Sequence, residues 1–130
     1  MKSDEQILNE LARAVEGLFY MSESDYPFQT VIVEGLTPAL LRETAGAAVG
    51  ARVETRDPDD FFARASAVRM SPGAGGRAEP ASLHDLLRVL RMNLKDVRVY
   101  RVGEVQIRAY VLGKAPSGSW LGLSTILVET

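Results

Sequence analysis

The single histidine, His84, lies in S-L-H-D-L-L with Ser82 two residues before it and Asp85 directly after. Ser, His and Asp are the parts of a nucleophile–base relay, but that relay needs the three side chains gathered in space around an oriented base. Neighbours one and two positions apart on a helix point in different directions. The trio therefore reads as a helix start carrying a surface or capping histidine. Asp57, Asp59 and Asp60, with Glu54 nearby, offer oxygens for a divalent cation. The glycine and distal Glu of a calcium loop are missing, and acids at a helix start are favoured by the helix dipole, so capping is the reading. P-G-A-G-G-R (72–77) matches neither phosphate-cradling glycine pattern and is expected to be solvated loop. The absence of cysteine removes thiolate catalysis, disulfides and cysteine zinc sites. No catalytic residue, cofactor or metal of the chain's own is assigned, and the protein is expected not to be an enzyme.

Charge narrows the partners. The 130 residues carry a net −2, yet residues 1–60 balance at −7 and residues 61–130 at +5. Such asymmetry marks either an interaction face or two solvated faces that compensate on folding. Arg88, Arg91, Lys95, Arg98 and Arg101 give a basic stripe along and after the last helical pattern. Aromatics are only 7% of the chain, leaving little surface for stacking bases, and a solvated helix face explains the same spacing.

Two other stretches present oxygens from well-anchored positions. F-Y-M-S-E-S-D-Y-P-F (19–28) sets Ser22, Glu23, Ser24 and Asp25 between apolar anchors on both sides. L-G-L-S-T-I-L-V-E-T (121–130) alternates as a strand apolar on both faces and runs straight into Glu129, Thr130 and the carboxylate. An end carried on a rigid strand loses little entropy when it binds.

These stretches need elements to hold them. Ser3 and Gln6 form a capping box before apolar residues at helical spacing over about residues 4–19. A loop (21–27) and a β-branched strand (28–34) follow. Thr37-Pro38 opens a short helix that Gly46 closes, 51–56 is a weak strand, and Asp57-Pro58 opens another short helix. Residues 71–80 read as surface loop. Leu83, Leu86, Leu87, Leu90 and Leu94 line one face of a helix from Pro80 or Ala81 to about Leu94. Val97, Val99 and Val102 mark a short strand, and strands over 104–112 and 121–129 form a hairpin. Helices interleaved with strands predict an α/β layered domain. No N-terminal signal pattern or membrane-length apolar run is present, so a cytoplasmic location is expected.

Taken together, G-L-F-Y-M-S-E-S-D-Y-P-F (17–28), D-D-F-F-A-R-A (59–65) and V-Y-R-V-G-E-V-Q-I-R-A-Y-V-L-G-K-A-P-S-G-S-W-L-G-L-S-T-I-L-V-E-T (99–130) resemble the nuclease A inhibitor-like family. The likeness runs over nearly the whole chain in one order. It is closest at 17–28 and 98–130, loose through 36–58 and lost in 66–80.

The resemblance implies one domain over 1–130, a three-layer α-β-α sandwich like the pathogenesis-related-protein-1 architecture, without catalytic activity. It implies a protein partner, a sugar-non-specific, magnesium-dependent nuclease, and no direct binding of nucleic acid or membrane; the free chain is expected to be a monomer. By the same resemblance the C-terminal Thr130 reaches the partner's active-site Mg²⁺ and Glu23 is a second main contact. Ser22, Ser24, Asp25 and Glu129 flank them. The family's acidic, tryptophan-containing segment after F-F-x-R-A is replaced here by S-A-V-R-M-S-P-G-A-G-G-R, with Arg69 and Arg77. Trp120 is either a substitute aromatic anchor or a packing residue. The alternative function is a non-enzymatic α/β interaction module of the same fold with a different protein partner.

Overall fold

The computed structural model describes residues 2–21, 25–48, 50–63, 66–71, 77–81 and 83–128, with backbone alone at 21, 25, 66–71 and 77–81. The first helix, α1 (Asp4–Ala14), starts on the expected capping box. Ser3 Oγ accepts from the Gln6 amide at 3.2 Å, and Gln6 Oε1 accepts from the Ser3 amide at 2.9 Å. The helix is shorter than its periodicity predicts. Gly17, at φ 71°, turns the chain, and Leu18–Met21 become a strand, β1, rather than a last helical turn. Apolar residues at 18 and 19 fit both periods, and the sheet wins them.

Two short strands follow, β2 (Asp25–Pro27) and β3 (Gln29–Val33). Helix α2 (Pro38–Ala45) has Thr37 as N-cap, Pro38 in its first turn and Gly46 beyond its end, as expected. Strand β4 (Val53–Arg56) precedes α3 (Pro58–Ala63). Asp57 Oδ1 accepts from the Asp59 amide at 2.8 Å, the helix-start role read from the acidic cluster. Strands β5 (Ser66–Ser71) and β6 (Arg77–Ala81) form a ribbon, which corrects the expected 71–80 loop. Only 72–76 separates the two strands, and these residues lie outside the described ones. Pro80 is tolerated because β6 is an edge strand. Helix α4 (Leu83–Asn93) leads into β7 (Lys95–Val102), β8 (Gln106–Lys114) and β9 (Trp120–Val128).

The strands form a four-stranded sheet, β2-β1-β5-β6, and a five-stranded sheet, β3-β9-β8-β7-β4. Among the described residues every pairing is antiparallel, so no parallel crossover joins the described strands. The expected hairpin runs from Gln106 opposite Val128 to Lys114 opposite Trp120.

Alternation divides the five-stranded sheet into two apolar faces. Val97, Val99, Ile107, Ala109, Val111, Leu121, Leu123 and Leu127 pack with Ile7 and Leu11 of α1, Phe61 and Phe62 of α3, and the leucines of α4. Tyr100, Val102, Tyr110, Leu112 and Val33 pack on the other face with Leu41 of α2. Burying each such side chain stabilises by about 1.5–3 kcal/mol, so a strand apolar on both sides belongs in the middle of the sheet. The second sheet joins the first cluster through Leu18 and Tyr20. Tyr20 stacks on Phe61 at 5.4 Å between ring centroids and meets Phe28 edge-on at 6.1 Å.

Candidate partner-binding site

Strand β9 cannot be entirely apolar, because Thr125 sits among its core-facing residues at 4% exposure. A buried hydroxyl without a partner is costly. Thr125 Oγ1 lies 3.1 Å from the Pro27 carbonyl oxygen, to which it donates, and 3.5 Å from that of Tyr26. Both acceptors belong to β2, in the other sheet. The tie therefore joins the strand that leads to Glu129 and Thr130 with the strand that leads out of the S-E-S loop. Backbone pairing adds to it. Gln29, two residues beyond Pro27, is opposite Ser124, and Asp25 is opposite Met21 across the loop.

Ser22, Glu23 and Ser24 lie outside the described residues, as do Glu129 and Thr130; of Asp25 only the backbone is described. What the described residues bring together is their attachment points. Glu23 is three residues before Tyr26, and Thr130 is five after Thr125. Beside β2, a groove of about 500 Å³ is lined by Val15, Leu18, Phe19, Pro27, Phe28 and Thr30.

Trp120 is placed elsewhere. It begins β9, opposite Val33, and packs partly buried against the cluster on the α2 face. Its side chain faces away from that of Thr125. At about 3.3 Å per residue, Trp120 is about 26 Å along the strand from Val128.

The basic stripe does not form one surface. Arg88 Nη2 pairs with Asp85 at 3.2 Å. Arg91 grips Asp59 with two bonds of 3.0 and 2.9 Å, joining α4 to α3. That guanidinium holds the Asp59 carboxyl below the usual carboxylate range. Arg98 and Arg101, three apart on β7, point to opposite faces. A run of phosphates cannot be tracked by residues so divided. His84 is exposed near the start of α4. Among the described residues no group of three or more His, Cys, Asp or Glu is placed to hold a metal ion, and no helix is long and apolar enough to cross a membrane.

Sequence reasoning missed two features. Thr125 carried a signal, since a hydroxyl in an otherwise apolar strand must find an acceptor. Arg52, Glu54 and Arg56 carried another, since residues two apart on a strand share a face.

The family profile described as nuclease A inhibitor-like protein matches residues 5–130. Among curated proteins, no sequence matches the chain. With the matched span taking in both the S-E-S loop and the whole of β9, the chain belongs to the nuclease A inhibitor-like family.

Proposed function

We propose that the protein is an inhibitor that binds a sugar-non-specific, magnesium-dependent nuclease and blocks its active site. The observation that carries this reading is the family match across residues 5–130. The tie from Thr125 to Tyr26 and Pro27 supports it, because it anchors both proposed contact segments to one part of the fold.

In this reading Thr130 is placed near the nuclease's catalytic Mg²⁺ and Glu23 makes the second main contact. Mg²⁺ is a hard cation that takes oxygen ligands and keeps several waters. A metal that serves phosphodiester cleavage has positions meant for phosphate oxygens, and the Thr130 hydroxyl and carboxylate are close-set oxygens of the same kind. They offer no phosphodiester bond to cleave, so occupying the position blocks turnover. Ser22, Ser24, Asp25 and Glu129 surround the two contacts, whereas Trp120 is read as a packing residue. The helices on both faces of the five-stranded sheet are read as the outer layers of an α-β-α sandwich, one domain over 1–130. The chain is read as cytoplasmic, non-catalytic and monomeric when free.

The test adds purified protein ending at Thr130 to a nuclease of this class. Near-stoichiometric loss of nuclease activity, with no shift of DNA in a gel at physiological salt, is expected. A protein that shifts DNA and leaves the nuclease fully active contradicts the reading. Tight capture of another protein with the nuclease untouched favours an interaction module of the same fold.

A further inference from the structure

The two sheets have outer edges at β2 and β6 in one and at β3 and β4 in the other. A sheet edge offers unpaired amides and carbonyls to any strand that arrives, and proteins blunt it with short strands, proline or charge. Three of these edges are blunted. β2 has only three residues and ends on Pro27. β6, R-A-E-P-A, carries Pro80 with Arg77 and Glu79. β4 carries Glu54 and Arg56, joined at 2.6 Å, and Arg52 meets the other Glu54 oxygen at 2.5 Å.

β3 has none of these devices. Its sequence, Q-T-V-I-V, holds no charge and no proline, and four of its five residues are β-branched strand formers. One side of β3 pairs with β9, and among the described residues no strand pairs with the other. Gln29 and Thr30 are exposed, and Ile32 is 54% exposed. A single exposed isoleucine is ordinary on a protein surface. One in the middle of an uncharged edge strand is a surface on which a further strand can pair.

We infer that β3 is a self-association edge, which pairs antiparallel with β3 of a second copy about a two-fold axis. With the axis perpendicular to the sheet, residues opposite each other share a face. Ile32 on the axis meets its own twin, Val31 is opposite Val33, and Thr30 is opposite Glu34, so no like charges meet. Val31 on the axis would instead set Glu34 opposite Phe28, a core residue. The other edges select a second copy as the occupant. Pairing through β3 joins the two five-stranded sheets into one whose outer edges are both β4. The charges on β4 then stop growth at two copies, the closed isologous arrangement. The five strand residues on each side fall short of the roughly 20–30 of a standard interface. The pairing is therefore weak, the dilute chain stays monomeric, and no nuclease is needed for it.

The test measures mass by sedimentation from micromolar to near-millimolar protein. The proteins are wild type, Ile32→Lys and Ile32→Val, each shown by circular dichroism to be folded. The wild type is expected to rise reversibly from monomer towards dimer. Ile32→Lys sets two positive charges against each other at the axis and is expected to weaken pairing about tenfold or more. Ile32→Val keeps the apolar contact and is expected to stay within a few-fold of wild type. Amide hydrogen exchange gives a second readout: alternate amides of β3 should gain protection at high concentration, and those of β4 should not. A wild type that stays monomeric at the highest concentration overturns the inference. Ile32→Lys pairing as well as wild type, or a dimer whose β3 amides gain no protection, places the contact on another surface and overturns it too. Growth past the dimer shows an aggregating edge without two-fold closure, and likewise overturns it.

Discussion

The Thr125 hydroxyl and the Pro27 carbonyl oxygen, 3.1 Å apart, join the two sheets at the point where β9 passes β2. Thr125 is a core position of a strand whose other inward residues are leucines. A polar tie there fixes the strand leading to Thr130 against the strand that closes the S-E-S loop. Thr125→Val keeps the shape and removes the donor. Losing the bond is expected to cost about 0.5–1.5 kcal/mol, read by urea unfolding. It should also weaken nuclease inhibition under conditions where the protein is fully folded, and Thr125→Ser should restore both. Inhibition unchanged in folded Thr125→Val would show that the tie serves stability alone.

Gly122 is the tightest point in β9. A Cβ built there would lie 1.9 Å from the Val111 carbonyl oxygen, a backbone atom that cannot swing aside. Gly122→Ala is expected to destabilise by about 1–3 kcal/mol, as overpacking does. The measurement is the denaturation midpoint, and a midpoint equal to wild type would contradict the strand register around Gly122.

The Asp59–Arg91 pair makes stability depend on acid. The Arg91 hydrogen bonds hold the Asp59 pKa below its usual value. Because the folded value is depressed, the contribution is complete above about pH 4 and is lost as pH falls through the lowered value. Asp59→Asn should make the melting temperature less sensitive to acid below about pH 4. At neutral pH the change should be small, because an exposed pair contributes little. An unchanged acid limb in Asp59→Asn would contradict this.

Replacing residues 72–76 with a short neutral linker is expected to leave the fold intact, since Ser71 and Arg77 already face each other across the ribbon. Circular dichroism and a melting curve check this. A collapsed melting temperature would mean that the segment carries packing of its own.

Much of this fold is legible in the sequence, and the exceptions have physical causes. Ser3 with Gln6, Thr37-Pro38 with Gly46, and Asp57-Pro58 mark helix ends because each fills a defined capping role. The β8–β9 hairpin is legible because alternation on both faces leaves few places for those strands. The four-stranded sheet is not. Leu18 and Phe19 continue a helical pattern, and S-P-G-A-G-G-R-A-E-P (71–80) reads as loop because its glycines and prolines dominate. Pairing partners distant in sequence decide both cases. Phe19, for example, is opposite Val68. The candidate contacts Glu23 and Thr130 come from the resemblance, whereas Thr125 and the Arg52–Glu54–Arg56 face emerge only when strands are set side by side.

The central claim is that Thr130 and its carboxylate block the nuclease. The most direct measurement is a titration of nuclease activity with four proteins: one ending at Thr130, one extended by a short C-terminal tag, Thr130→Ala and a Thr130 deletion, each shown by circular dichroism to be folded. Extension replaces the carboxylate with an amide and adds bulk at the contact, so the tagged protein and the deletion should lose inhibition by a hundredfold or more. Thr130→Ala loses only the hydroxyl and should be milder. A tagged protein that inhibits as well as the one ending at Thr130 would contradict the account.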